Sequence, residues 1–278
     1  MSPYLPRHVR PAPSSSTPVA RSETSPGPSR RGLLRAGVTG ASAALGLGTL
    51  GLATAANAEE PAHQEIHGQD VSSWQGEVDW GRQWDMGSRF AWVKATEGNT
   101  WKSPTFSAQY RGASRVGMPR GGYHFARPDT GDPITQCDAF LDGGGGWTAD
   151  GITLPGMVDF EKSPGIPSNY GLSPEDLRSW ISEFSSHYRR QTLRRPVIYT
   201  NAHWWNQNVG EWTPKNSPLH IANYSYDPSD SLPGRWWGWE LWQYSPSGPF
   251  AGDSNVWYSG EESFSRFVAE VDYGANGI

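Results

Sequence analysis

The chain has 278 residues, with 23 Lys and Arg against 28 Asp and Glu, 33 Gly, 23 Pro, 15 Trp and a single Cys. That length holds one large domain or two small ones and excludes a mini-protein scaffold, while the lone thiol, Cys137, excludes an internal disulfide and zinc sites built on CxxC pairs. The formal net charge of −5 hides an asymmetry: residues 1–58 carry six Arg and one acid, and the remainder is acidic with no Lys/Arg run, which argues against nucleic acid as the main partner.

In chain order, residues 1–29 are rich in Pro, Ser and Arg without apolar periodicity and read as disordered. Ser29-Arg30-Arg31-Gly32-Leu33-Leu34, a weakly apolar stretch over 36–56 and the triplet Ala56-Asn57-Ala58 then predict a twin-arginine signal peptide cleaved after Ala58. The alternative is a membrane anchor; the Gly and Thr content of the stretch and its cleavage-like end favour export. The mature chain, 59–278, has the length of one domain.

Short apolar or alternating runs predict strands over 67–71 and 90–96, then a helix opening at Ser103-Pro104, a strand over 120–126 and a helix opening at Asp132-Pro133. A strand over 156–161 follows, then a helix opening at Ser173-Pro174 and strands over 196–200, 219–224 and 240–244. A capping oxygen followed by Pro suits a helix start, because the cap accepts an orphan N–H and Pro has none to lose. The Ser173 helix is the clearest, with Asp176 three residues on and Leu177, Trp180, Ile181, Phe184 and Tyr188 at helical spacing. Strand-helix alternation points to a parallel sheet of the α/β class. Because helical signals shrink after Thr200, a TIM-like barrel with full helices in its first half and fewer later fits best.

In such folds reactive groups gather where the strands end. Asp70 closes the first predicted strand, and Asp159 and Glu161 stand in Met157-Val158-Asp159-Phe160-Glu161. Residues i and i+2 of a strand share a face about 6.6 Å apart, so this pair is neighbourly while Val158 and Phe160 face the packing side. Two carboxylates that close repel, and one keeps its proton, which is what glycosidic bond cleavage needs. Taken alone, Asp-x-Glu also suits an edge-strand surface pair or a metal site. The same rims carry Glu97, Tyr123, His124, Tyr199, Asn223, Tyr224 and Gln243.

Seven ordered motifs then converge: Gln69-Asp70-Val71-Ser72-Ser73-Trp74-Gln75-Gly76, Asp79-Trp80, Phe90-Ala91-Trp92-Val93-Lys94-Ala95-Thr96-Glu97-Gly98, Gly122-Tyr123-His124-Phe125, Val158-Asp159-Phe160-Glu161, Val197-Ile198-Tyr199-Thr200 and Leu241-Trp242-Gln243-Tyr244-Ser245. Together, over about 67–258, they resemble the family 25 glycoside hydrolases, the Chalaropsis-type lysozymes. The resemblance implies a modified (β/α) barrel with irregular later strands, and hydrolysis of the bond after N-acetylmuramic acid in bacterial peptidoglycan with the anomeric configuration retained. It implies Glu161 as general acid, Asp159 as the carboxylate that orients the substrate 2-acetamido group, and Asp70 in support. Asp253 stands as the fourth acid, with Asp272 as its alternative because the tail departs from the family's Val-Asp pattern. His124 is expected as a hydrogen-bonding wall residue rather than a catalyst.

No metal or cofactor is expected, and the partner is a peptidoglycan glycan strand met by a secreted monomer, away from membranes once the leader is removed. Trp74, Trp101, Trp204, Trp205 and Trp242 suit either the groove or the core, with core favoured for most and Trp74 kept among the groove residues. A glycan-binding module on the same fold would show broken carboxylates, and a chitinase-like hydrolase would carry a longer acidic series before Asp159; neither feature is present.

Overall fold

Among the described residues seven of nine strands run parallel, and one antiparallel strand completes the ring of hydrogen bonds that they form. The computed structural model describes residues 65–271. Its strands are β1 (Ile66–Val71), β2 (Ala91–Glu97), β3 (Trp101–Lys102), β4 (Arg120–Phe125), β5 (Met157–Asp159), β6 (Val197–Thr200), β7 (Leu219–Ala222), β8 (Leu241–Ser245) and β9 (Asp253–Trp257). Around the barrel the order is β1, β9, β8, β7, β6, β5, β4, β2, with β2 returning to β1 and β3 hanging from β2. Only β3 and β9 run antiparallel to their neighbours. The twin-arginine segment, the cleavage position after Ala58 and Asp272 lie outside the described residues.

The helices are α1 (Trp80–Asp85), α2 (Phe106–Arg115), α3 (Pro133–Phe140), α4 (Pro174–Thr192), α5 (Ala202–Asn208) and α6 (Gly260–Ala269). Two of the three expected helix starts stand. Asp132 caps α3, and Ser173 caps α4 by accepting from Asp176 N–H, with Pro first in each helix. The third is corrected: α2 begins at Phe106, because Ser103 N–H still donates to Ala95 O at 2.8 Å and holds the chain against β2. No α-helix separates β7 from β8, or β8 from β9, so the thinning of helical signal after Thr200 corresponds to a wall without helices.

Strand parity sorts the side chains. One set, including Trp92, Tyr123, Met157, Val197, Tyr199, Leu241 and Trp257, packs inside the ring with Phe264, Phe267 and Val268 of α6, which plugs the end opposite the parallel strands' C-termini. The other parity of β5 and β6, with Val158, Phe160 and Ile198, packs outward against Phe140, Ile181, Phe184 and Trp205 of the helices. With α6 stopping one end, polar chemistry has only the other end in which to gather.

Candidate active site

β5 sets the first pair of acids. Val158 and Phe160 are fully buried against the helices, so Asp159 and Glu161 take the opposite direction, toward the barrel mouth. The strand ends at Asp159, but the pairing continues: Phe160 N–H donates to Tyr199 O at 2.9 Å and Thr200 Oγ1 donates to Phe160 O at 2.8 Å. Tyr170 then donates its phenol to the carbonyl of Glu161 at 2.5 Å. Glu161 is thus fixed although it lies two residues past the strand.

Burial, then repulsion from Glu161, pushes the Asp159 carboxyl well above the usual range, opposed by the Lys94 cation. Burial, then Asp253, raises Glu161 to about 7, again opposed by Lys94. Both members of the pair therefore hold a proton to higher pH than free carboxyls do. Its Oδ1 is buried with no hydrogen-bond partner among the described residues.

β1, β8 and β9 set the second pair. Because β9 is antiparallel, its first residue, Asp253, lies at the same rim as the last residues of the parallel strands and is in register with Asp70. Gly252 makes this approach possible: its φ is +80°, and a Cβ there would collide with the Asp70 carbonyl oxygen. Asp70 Oδ2 accepts from Gln243 Nε2 and Asn255 Nδ2, both at 2.8 Å, and Gln243 Nε2 also reaches Asp253 Oδ2 at 3.3 Å. Tyr199 and Tyr224 both donate to Gln243 Oε1, at 2.8 and 2.6 Å, which fixes the way this amide points. Burial, then Asp253, raises Asp70 to about 7 against the pull of its two amide donors, and burial raises Asp253 as well.

Lys94 is the cation of this mouth, and it was not singled out from the sequence. A register shift between Lys94 and Thr96 in the β2–β4 pairing resets the alternation, so Lys94 meets Glu97 at 2.8 Å. Its ammonium also lies 5.2 Å over the Trp101 ring and 4.6 Å over Phe125. Arg127 holds the other oxygen of Glu97 at 3.2 Å and clasps Asp129 with two N–H groups. Beside them a cleft of about 430 Å³ is lined by Glu97, Asn99, Thr100, Trp101, Arg127 and Thr130.

The other expected site residues divide. Tyr123 faces the acids, which together with burial push its phenol well up. Trp74, expected in the groove, is 87% exposed on a one-turn 3-10 helix after β1 held by Ser72 and Gln75, and Trp101 is 38% exposed on the two-residue strand β3, so for Trp101 the core expectation gives way. Trp204 and Trp205 are core residues, and Trp242 is half-buried with its indole N–H on Asn223 O at 2.7 Å. Asn223 spends its side chain on an Asx turn to Ser225 N–H at 3.1 Å.

His124 is a correction. It is fully buried on the outer side of β4, 2.8 Å from Thr96 Oγ1 and 3.0 Å from Gln136 Oε1, and stacked on Phe184, away from the mouth. Burial pushes its imidazole down to about 4.

Asn255 and His220 also escaped the sequence reading. Had 253–257 been read as a strand, Asp253 and Asn255 would have shared a face. Among the described residues no three His, Cys, Asp or Glu side chains converge as a metal site. What the mouth offers is proton chemistry: four carboxyls of raised proton affinity, one cation and two amides of fixed direction.

The sequence pattern of glycosyl hydrolases family 25 matches residues 69–253. An N,O-diacetylmuramidase of Arthroderma benhamiae is 43% identical over 205 residues, covering 73% of this chain and 86% of its own. An N,O-diacetylmuramidase of Chalaropsis sp is 39% identical over 195 residues, covering 68% of this chain and 92% of its own. Among solved structures, a family 25 lysozyme from Aspergillus fumigatus superposes with a TM-score of 0.72 at 39% identity, covering 74% of this chain and 100% of that one.

Proposed function

The chain belongs to glycosyl hydrolases family 25 and is a glycoside hydrolase, and from that premise we propose that it is a muramidase that hydrolyses the β-1,4 bond between N-acetylmuramic acid and N-acetylglucosamine in bacterial peptidoglycan. The observation that carries this reading is the Asp159–Glu161 pair at the mouth, with one buried oxygen of Asp159 free to accept a hydrogen bond.

The chemistry follows from the proton affinities. A substrate acetamide N–H donating to Asp159 Oδ1 favours the ionised form of that carboxyl. The proton of the pair then rests on Glu161, held there by burial and Asp253. Glu161 gives it to the bridging oxygen as the acetamide oxygen forms a bond to the anomeric carbon and the glycosidic C–O bond breaks, while the acetamide N–H proton moves toward Asp159. Water, surrendering a proton to Glu161, reopens the ring so formed, and two inversions leave the configuration retained. Asp70 and Asp253 are the supporting anions of this scheme.

An acidic chain gains no long-range attraction to an anionic wall, so recognition rests on groove contacts. Exposed rings on the segments that leave the mouth, Trp74 after β1, Trp101 on β3, and Tyr224 and Tyr226 after β7, offer faces on which sugars stack. Residues 1–58 are on the same reading a twin-arginine leader, supported by Arg30-Arg31 and Ala56-Asn57-Ala58, and the mature chain acts outside the cell as a monomer. A secreted protein beginning at Glu59 is the expected result of N-terminal sequencing.

Mass spectrometry of digested peptidoglycan is expected to place the new reducing end on N-acetylmuramic acid, and proton NMR to show the β-anomer first. Glu161→Gln keeps the shape without a usable proton and is expected to lower turnover by about 10³-fold or more with unchanged circular dichroism. Wild-type turnover in that variant, or a reducing end on N-acetylglucosamine, overturns the proposal.

A further inference from the structure

Beneath the acids, inside the barrel, lies an imidazole that the reaction scheme does not use. His220 of β7 is fully buried, with its ring 6.0 Å from Trp92 of β2 and 5.3 Å from Tyr199 of β6. Nε2 lies 3.0 Å from Asn255 Oδ1 of β9, and Nδ1 lies 3.1 Å from Met157 Sδ of β5. Burial pushes the ring's pKa down to about 3, so at working pH it is neutral and has one N–H to place. A thioether is a weak acceptor and an amide oxygen a strong one, so the proton belongs on Nε2.

That choice fixes the next group. Asn255 can accept from His220 only through its oxygen, which turns its Nδ2 toward Asp70 Oδ2 at 2.8 Å. Rotated by half a turn, the same amide would set its oxygen against the carboxylate, an arrangement Asp70 tolerates only when protonated. Resting on the muramidase reading above, we infer that His220 is a positioning residue for the reaction: its ring locks the Asn255 amide so that Asp70 receives a donor and stands as an anion beside the proton-carrying Glu161.

The lock matters because of what faces Asp70. Asp253 from β9, Asp159 from β5 and Glu161 just beyond it, together with the phenols of Tyr123, Tyr199 and Tyr224, all act on or feel its charge. Gln243 of β8, itself locked by Tyr199 and Tyr224, supplies the second donor. Asp70 and Glu161 repel each other as anions, so an anionic Asp70 adds to burial and Asp253 in keeping the general acid protonated. With the amide released, Asp70 takes a proton more readily and Glu161 loses its own at lower pH.

The test is the pH profile of kcat and KM on purified peptidoglycan for His220→Phe and His220→Gln. The Phe variant, which fills the space without a donor, is expected to lose about 10- to 100-fold in kcat at neutral pH with KM within about twofold, and its alkaline limb moves to lower pH. The Gln variant keeps an N–H directed at Asn255 and is expected to restore most of kcat and the position of the limb. Equal losses in both variants with the limb unmoved would mean that His220 only fills the core, and would overturn the inference. Nitrogen-15 spectra of the histidine rings in the wild-type protein decide the same point without any variant: a neutral Nε2–H tautomer from about pH 5 to 8 supports the lock, and an Nδ1–H tautomer overturns it. A wild-type protein inert on peptidoglycan would instead remove the muramidase reading, while the tautomer would still decide whether the lock exists.

Discussion

The two walls of the barrel hold their acids in opposite ways. Behind β5 and β6 stand helices, and Val158, Phe160 and Ile198 are fully buried between sheet and helix, so the backbone that carries Asp159 and Glu161 is fixed from outside. Those side chains can then project with few bonds of their own, and Asp159 keeps a free oxygen. Between β7 and β8 and between β8 and β9 there is no α-helix, and that wall is ordered from inside by the chain Tyr199 and Tyr224 to Gln243, Gln243 and Asn255 to Asp70, and His220 to Asn255. The difference teaches where reactive freedom comes from. Packing on the far side of a strand leaves its near-side carboxyls available to a substrate, whereas a wall without that packing consumes its polar groups in holding itself together.

The comparison breaks most visibly in activity. If the helix-backed acids do the chemistry and the tied acids set the field, Asp159→Asn is expected to lose about 10³-fold in kcat, and Asp70→Asn about 10- to 100-fold, measured on peptidoglycan at the wild-type optimum. Equal losses would mean that the amide-bound acids react as directly as the free one.

The same Asp70→Asn variant sharpens the comparison in stability. Asp70 titrates near 3.8 when unfolded and at about 7 in the fold, so between those values the folded chain binds a proton that the unfolded chain does not. Raising the pH through that window therefore costs the wild type stability, fully so above pH 7. Asparagine removes the cost, and the variant is expected to be more stable than wild type by up to a few kcal/mol at pH 7.5, with the gap closing toward pH 4. Buried neutral histidines contribute an opposite slope at lower pH, but they are present in both proteins and cancel. Urea titrations at several pH values check the trend, and a gap independent of pH would show that Asp70 is not the anion this wall was built around.

Much of the first wall was legible in the sequence because it obeys local rules. Alternation in Met157 to Glu161 assigns its faces, and Ser173-Pro174 with Asp176 announces α4. Alternation also speaks against one expectation: Tyr123 and His124 are adjacent on β4 and cannot both face the mouth, and the ring of His124 turns outward to Phe184. The second wall was harder because its information is non-local. β9 is a short run whose closing role depends on pairing with strands nearly 190 residues and about 10 residues away, so Asp253 entered through family resemblance and Asn255 not at all. Lys94 was hidden by the register shift that resets which side chains share a face, something periodicity cannot foresee.

The smallest expected effect tests the cation that belongs to the helix-backed wall. Lys94 opposes the rise in proton affinity at both Asp159 and Glu161, whereas at Asp70 the opposing groups are the amides of Asn255 and Gln243. Lys94→Met leaves Glu97 on Arg127, so the local fold keeps an anchor, but both carboxyls then hold their protons to higher pH. The acid limb of the kcat profile moves up because Asp159 ionises later, and the alkaline limb moves up because Glu161 is deprotonated later. The whole bell is expected to shift toward alkaline pH by about half a unit to one unit. Lys94→Arg keeps the charge and is expected to leave the bell in place. A bell that stays put in the Met variant would assign Lys94 to clamping Glu97 and Trp101 alone, and the electrostatic contrast between the walls would rest on the amide donors by themselves.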